Sequence, residues 1–124
     1  MLLLSLTTWA LAQGCPIVNP DAIRLGLHGQ RFVALAEPFV WAIAMLMVRA
    51  LFLAGHSKVI VDATNVSEKR REQWRSDSWT TSWKIIDTTA ETCIERAKLE
   101  SDDEIVPVIE RMSLELVFPT ANLA

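Results

Sequence analysis

Residues 58–63 read Lys-Val-Ile-Val-Asp-Ala, and this short stretch decides the fold class that we predict from the sequence. Residues 59–61 are consecutive β-branched side chains, a pattern typical of a strand that is covered on both faces of a parallel sheet. The apolar run ends at Asp62, and Thr64 and Asn65 follow shortly after. We therefore expect a buried strand with polar side chains at its carboxyl end.

Two further apolar runs have the same form, one on each side of this strand in the sequence. Cys15–Val18 (CPIV) is followed by Asn19-Pro20-Asp21, and Trp83–Asp87 (WKIID) is followed by two threonines. Helix-forming segments separate the three runs. Strands that alternate with helices at this spacing predict an α/β fold, with one domain over residues 1–124 and a parallel sheet with right-handed crossovers.

Capping residues and the period of the apolar side chains place the predicted helices. We expect Asp21 to cap the helix that follows it, and Ser67 to cap a charged helix over Glu68–Arg75. The longest segment, Phe32–Ala54, is apolar nearly all round and stops at Gly55, which predicts a mostly buried helix. The other predicted helices are Thr7–Gln13, Glu91–Leu99 and Glu104 to about Leu116, the last of them started by Asp102 and Asp103.

The composition excludes several classes of protein. With 51% hydrophobic and 22% charged residues, the chain is neither disordered nor a coiled coil. The net charge of −3 removes the broad basic surface that nonspecific duplex binding needs, although a local basic patch could still hold one short strand. Cys15 and Cys93 have no partner at ligand spacing, which argues against a zinc site and against a disulfide scaffold.

Two apolar segments imitate an export signal and a membrane span. Met1–Cys15 places small residues before a cysteine, as a lipoprotein signal does, but it has no Lys or Arg at its start. Pro38–Ala54 is about one turn shorter than the ~20 residues that a bilayer needs, and it contains Arg49. We therefore predict a cytoplasmic protein with no membrane partner, and keep membrane association or export as a weaker hypothesis.

Polar residues follow each of the three predicted strands, and ligands of an open parallel sheet bind beyond the carboxyl ends of its strands. The clusters are Asn19–Asp21, Asp62–Asn65 and Asp87–Thr89. Each of these residues is also an ordinary cap for the helix that follows. The residues alone leave both interpretations open, a ligand site on one rim or three helix caps.

The order and spacing of five blocks resemble the P-loop kinases of the polynucleotide-kinase type, which are grouped with the AAA-family ATPases. The blocks are IVNPDAIRLGLHG (17–29), AEPFVWAIAMLMVRALFLAGHSKVIVDATN (36–65), SEKRREQWRSDSW (67–79), IIDTTAETCIERA (85–97) and IVPVIERM (105–112). The resemblance covers residues 7–112, and DATN followed by paired arginines is its most specific marker. It implies a doubly wound parallel sheet of P-loop type, ATP and Mg²⁺ as cofactors, and transfer of the γ-phosphate to a hydroxyl. The implied partners are a nucleotide and either a nucleic-acid end or a small phosphorylated substrate.

The resemblance also implies roles for individual residues. Asp21 would be the base that accepts the proton of the attacking hydroxyl, and Arg24 would bind a substrate phosphate. The remaining implied positions are Asp62, Thr64 and Asn65 along the substrate site, Thr7 and Thr8 at the cofactor, and Thr7 as the Mg²⁺ ligand.

A lid over residues 91–103 is the last element that the resemblance implies. Arg96, helped by Lys98, would stabilise charge on the transferred phosphoryl group, and Arg96 would therefore be catalytic. The alternative is an ordinary helix surface position paired with Thr92 or Glu100.

The chain departs from this family at the phosphate-binding loop and at its tail. It contains no GxxxxGK[ST] motif, and Ser5 and Leu6 stand where the family has Gly and Lys. Residues 1–6 are then a degenerate remnant of the first strand and loop, and residues 113–124 a divergent tail. We expect a domain truncated at its first strand, either a weak or inactive kinase-like phosphotransferase or a non-catalytic binding module derived from one.

Three tryptophans lie among arginines in the second half of the chain. Trp74, Trp79 and Trp83 could form a platform on which bases stack, or could pack helix against sheet. Because Arg70 and Arg71 are adjacent in a predicted helix, they cannot share one face, and we expect at least one of them to be solvated.

Overall fold

The computed structural model of the chain describes residues 8–29, 32–65, 67–84 and 90–115. These residues form two compact units, an N-terminal unit that ends at Ala63 and a C-terminal unit that begins at Thr64. Each unit buries its own set of side chains.

The N-terminal unit contains a parallel pair of short strands and two main helices. Its elements are α1 (residues 8–12), β1 (Ile17–Val18), α2 (Pro20–His28), a 3₁₀ turn (Ala34–Ala36), α3 (Glu37–Leu53) and β2 (Ile60–Val61). α2 and α3 pack against each other, and α3 also packs against β1. The strand pair and α3 therefore form the centre of this unit, where Val18 and Val40 are fully buried.

The two strands pair in parallel, as the sequence predicts. Ile17 lies opposite Ile60 and Val18 opposite Val61. The backbone N–H of Ile60 donates to the Pro16 carbonyl at 3.0 Å, and that of Asp62 donates to the Val18 carbonyl at 2.9 Å. The carboxyl ends of both strands consequently lie at the same edge of the pair.

The predicted doubly wound parallel sheet of P-loop type is wrong. The sheet in the described residues has only β1 and β2, and the chain is too small and too helical for a doubly wound P-loop sheet. Trp83 and Lys84 add no strand to this pair, and residues 85–87 of the predicted third strand lie outside the described residues. Alternation of strand and helix along a sequence reports local preference, whereas sheet formation requires strands that pair over long distances.

α2 begins two residues before the position that the sequence predicts. The side chain of Asn19, not of Asp21, caps it, because Asn19 Oδ1 accepts the backbone N–H of Asp21 at 2.8 Å and that of Ala22 at 3.4 Å. Asp21 lies in the first turn instead. The helix ends at Gly29, whose φ of 63° is left-handed and whose N–H donates to the Leu25 carbonyl.

α3 is shorter and less covered than predicted. Pro38 lacks a backbone N–H and is tolerated only in the first turn of a helix, so α3 begins at Glu37 and not at Phe32. The expectation of a mostly buried helix is wrong, because its buried positions are Val40, Ala44 and Val48, which lie on one face. An apolar sequence shows which side chains favour burial, not whether other elements cover them.

The segment Ala34–Leu53 is the only one in the described residues long and apolar enough to cross a membrane. It has 20 residues with a mean hydropathy of 1.7, and 17% of it is buried. A single helix of this kind is weak evidence for a membrane span, because core helices and signal sequences share its length and composition.

The C-terminal unit is helical in the part that the structure describes. Its elements are α4 (Glu68–Glu72), α5 (Ala90–Leu99), a 3₁₀ turn (Asp103–Ile105) and α6 (Val106–Glu115). α5 packs against α6, and Trp74, Cys93 and Ala97 are buried.

The predicted helix starts in this unit are correct to about one residue, the predicted end of α5 at Leu99 is correct, and the predicted end of α4 is wrong. Ser67 caps α4, since its Oγ accepts the backbone N–H of Arg70 at 3.1 Å. α4 ends at Glu72 and not at Arg75, because the N–H groups of Trp74 and Arg75 donate to carbonyls three residues back, as in a tightened last turn. The last predicted helix divides into the 3₁₀ turn and α6, whose second residue is Pro107.

Candidate functional site

Two aspartates lie at the carboxyl edge of the strand pair. Asp62 directly follows β2 and is 3% exposed. Asp21 follows β1 by three residues and lies in the first turn of α2, with its side chain 35% exposed. This edge is where a parallel sheet binds its ligands, and it carries one accessible and one buried carboxylate.

Arg24 lies one turn after Asp21 on α2, and its guanidinium contacts two carboxylates. Nη1 donates to Asp21 Oδ1 at 2.6 Å. Nε donates to Glu37 Oε2 at 2.9 Å and Nη2 donates to Glu37 Oε1 at 2.6 Å, which is the bidentate geometry of a strong arginine–carboxylate pair. Asp21, Arg24 and Glu37 together are called the Arg24 cluster below.

The Arg24 cluster is partly buried, and its cation is strongly held. The side chains of Arg24 and Glu37 are 13% and 17% exposed. The hydrogen bonds to Glu37 raise the pKa of Arg24 above its ordinary value, and the negative charges of Glu37 and Asp21 act in the same direction against the lowering effect of burial. Arg24 therefore stays charged throughout the physiological pH range.

Trp41 completes the surroundings of the guanidinium. Its ring centroid lies 5.9 Å from Arg24 Cζ, which is within the range of a cation–π contact. Trp41 follows Glu37 by one turn of α3, so both residues approach Arg24 from the same helix. α3 thus supplies two of the three side chains that surround this arginine.

The hydrogen bonds leave part of the guanidinium available. A guanidinium has five N–H donors, and the three bonds above use one on each nitrogen. One donor on Nη1 and one on Nη2 remain. The cluster also carries one positive and two negative formal charges, a net charge of −1, which weakens its attraction for a phosphate.

Sequence reasoning singles out Asp21 and Arg24 but misses Glu37. A glutamate just before a proline at a helix start is a recognisable first-turn signal, because carboxylates stabilise the positive end of the helix dipole. The signal does not identify a partner. The contact between Glu37 and Arg24 joins residues 13 positions apart and depends on the packing of α2 against α3.

The predicted site residues Thr64 and Asn65 belong to the C-terminal unit. Both are half-buried. The Asn65 backbone is left-handed, with a φ of 40°, and its Oδ1 accepts the indole N–H of Trp74 at 3.1 Å. Its carbonyl accepts Arg71 Nη1 at 2.9 Å. The acceptor groups of Asn65 therefore hold the loop before α4 in place.

The tryptophans of this unit contribute more to packing than to an exposed surface for base stacking. Trp74 is 4% exposed, and its carbonyl accepts Trp79 Nε1 at 2.7 Å and Thr81 Oγ1 at 2.8 Å. Trp79 is half-buried. Arg71 is 6% exposed, so the adjacent Arg70 is the more solvated of the arginine pair, as the sequence predicts for one of them.

The nucleotide side of the predicted site is only partly described. Arg96 and Lys98 lie on α5 with exposed side chains, and Thr8 is exposed at the first described residue of α1. Thr7, together with Ser5 and Leu6, lies outside the described residues. Within the described ranges, no group of three or more His, Cys, Asp or Glu side chains could hold a metal ion. ATP and Mg²⁺ as cofactors therefore stay a prediction.

No protein-family profile, curated protein or solved structure matches the chain.

Proposed function

We propose that this chain is a kinase-like phosphotransferase domain, related to the polynucleotide-kinase type, whose described residues supply the hydroxyl-substrate side of the reaction. The observation that carries the proposal is the setting of Asp21, an accessible carboxylate at the carboxyl edge of two parallel strands that Arg24 holds in one orientation. The order and spacing of the sequence blocks also support it.

Asp21 meets the requirements of a general base. The bond from Arg24 fixes Oδ1, and Oδ2 makes no hydrogen bond to the described residues, so it can accept the proton of a hydroxyl. Phosphoryl transfer depends on positioning of the nucleophile more than on covalent chemistry by the protein. A partly exposed, oriented carboxylate is suited to that task.

Arg24 supplies the second part of the proposed substrate site. Its two remaining N–H donors could bind one phosphate of the substrate while it continues to hold Asp21. Because the net charge of the cluster is −1, we expect this binding to be weak and to depend strongly on salt. The substrate classes are then a nucleic-acid end or a small phosphorylated molecule.

The part of the proposed site that would bind ATP limits the expected rate of phosphoryl transfer. When bound, ATP with Mg²⁺ would supply the phosphoryl group, but the sequence contains no GxxxxGK[ST] motif to hold it. Slow transfer is therefore part of the proposal. We also propose a cytoplasmic location, which the unpaired cysteines Cys15 and Cys93 support.

A non-catalytic binding module is the second candidate. The missing glycine-lysine loop favours it, since the substrate side of the site does not require that loop. In this case an oligonucleotide or phosphorylated ligand would bind through the Arg24 cluster with no turnover of ATP.

Transfer of the labelled γ-phosphate of ATP to a 5′-hydroxyl oligonucleotide tests the proposal. We expect slow transfer by the unmodified chain and a loss of roughly 10²- to 10⁴-fold in Asp21→Asn, the usual contribution of a general base. Asp77→Asn is the matched control, because Asp77 is an exposed aspartate of the C-terminal unit. Absence of transfer by the unmodified chain would overturn the phosphotransferase proposal, and oligonucleotide binding that Arg24→Met abolishes would then establish the module.

A further inference from the structure

Glu37 is the one member of the Arg24 cluster to which the proposed reaction gives no role. Its carboxylate nevertheless makes two of the three hydrogen bonds of the guanidinium, at 2.9 and 2.6 Å. Two bonds from one carboxylate fix the plane of a guanidinium as well as its position. Glu37 thus sets the direction of Nη1, which points toward Asp21.

The backbone that carries Glu37 is itself firmly placed. Glu37 is the first residue of α3, and the buried face of α3 begins one turn later at Val40. The first-turn position stabilises its carboxylate through the helix dipole. Trp41 limits the guanidinium further by contact with it. α3 therefore acts as a rigid support on which the orientation of Arg24 depends.

The alternative arrangement shows what Glu37 prevents. Arginine binds carboxylates best with two parallel hydrogen bonds. Asp21 lies three residues before Arg24 on the same helix and receives only one such bond, because Glu37 holds the edge formed by Nε and Nη2. Without Glu37, the guanidinium could turn and donate to both oxygens of Asp21, and Oδ2 would then be a weaker and less accessible base.

We propose that Glu37 is a positioning residue that keeps Arg24 on a single oxygen of Asp21 and so leaves Oδ2 available as the base. This inference rests on the proposed role of Asp21 in phosphoryl transfer. It assigns a function to a residue of α3 that does not itself touch the substrate.

The substitution that tests the proposal is Glu37→Gln, which keeps the shape of the side chain and removes its charge. One end of the amide then presents an N–H donor to a guanidinium donor, so the bidentate pair is lost. We expect kcat to fall by about 10- to 100-fold, the size of effect that a misplaced catalytic group produces, with KM for ATP unchanged. Glu37→Asp retains the charge and should restore part of kcat.

The matched control is Glu72→Gln. Glu72 also pairs with an arginine, Arg75, at 3.3 Å, but the two side chains are 62% and 52% exposed. This control should leave kcat unchanged. At saturating oligonucleotide, combining Glu37→Gln with Asp21→Asn should be no slower than Asp21→Asn alone, because under that condition Glu37 affects kcat only through Asp21. A further loss in the double variant would overturn the proposal.

A measurement without turnover separates this inference from the proposed function. The ¹³C resonance of the Asp21 carboxyl carbon, assigned with Asp21→Asn, should move in Glu37→Gln and stay in place in Glu72→Gln, with unchanged far-ultraviolet circular dichroism in both. If the unmodified chain shows no transfer, the proposed function fails and this resonance still decides whether Glu37 positions Asp21. An unmoved resonance in folded Glu37→Gln would overturn the inference.

Discussion

Arg24 and Glu37 form a bidentate ion pair that joins the middle of α2 to the first residue of α3. Both side chains are largely buried, at 13% and 17% exposure, so solvent screens the pair less than it screens an ion pair on the surface. Loss of either partner would therefore leave an unpaired charge in a poorly solvated place in the N-terminal unit.

Replacement of Arg24 should destabilise the fold measurably. Arg24→Met removes the charge but keeps much of the apolar stem, and it leaves the Glu37 carboxylate without its partner in a poorly solvated place. We expect the free energy of unfolding in urea to fall by about 1–3 kcal/mol. Arg75→Met is the control, since its exposed pair with Glu72 should contribute less than about 1 kcal/mol. Equal effects of the two substitutions would contradict the structure.

The stability that the Arg24–Glu37 pair supplies should not change with pH in moderately alkaline solution. Because the pKa of Arg24 is raised in the folded state, its contribution is fully present below the ordinary arginine pKa and is lost only as the pH rises through the still higher folded value. In Arg24→Lys the cation is an ammonium with an ordinary pKa of about 10.4, so its contribution should decline earlier. Urea unfolding of the two proteins between about pH 8 and 11 should show a widening gap; a constant gap would count against a charged pair.

Removal of the Asn19 cap should weaken α2. Asn19→Ala deletes the oxygen that accepts the N–H groups of Asp21 and Ala22, and the expected cost is about 1 kcal/mol of unfolding free energy. Asn19→Asp keeps an acceptor at the same place and should stay close to the unmodified chain. Urea midpoints of the two variants give the test, and identical midpoints would mean that the cap bond does not contribute.

Substitutions of Asn65 should lower the free energy of unfolding for two separable reasons. Both Asn65→Ala and Asn65→Gly remove the acceptor of the buried Trp74 indole, which should cost about 1–3 kcal/mol. Alanine also resists the left-handed backbone at φ 40°, whereas glycine adopts it freely, so the alanine variant should be less stable by roughly 1 kcal/mol more. Unfolding followed by tryptophan fluorescence measures both effects. A glycine variant that is no more stable than the alanine variant would show that the backbone at Asn65 is not strained.

Much of the local structure could be predicted from the sequence. Residues 60–61 form a strand because β-branched side chains favour extended backbone, and Ser67 starts α4 because its hydroxyl satisfies a free N–H of the first turn. These preferences act over a few neighbouring residues. They also identified Asp21 and Asp62 as residues at strand ends, since the apolar runs stop just before them.

The predicted sheet and the predicted burial of α3 failed for a different reason. Both depend on how many other elements come into contact with a segment, and an apolar run has the same sequence whether it is covered or not. The described part of the chain supplies one parallel partner for β2, and it covers the face of α3 that carries Val40 while Leu46 and Leu53 stay exposed.

The sequence by itself determined the local signals of this protein: where short strands and helices start, and which carboxylates follow the strands. Only the tertiary structure decided that Glu37 and Asp21 share Arg24 and that the described sheet stops at two strands. The physical reason is the distance along the sequence over which each kind of interaction acts. Backbone preferences arise between near neighbours in the chain, whereas ion pairs and strand pairing depend on residues that the packing of α2, α3 and the two strands brings together.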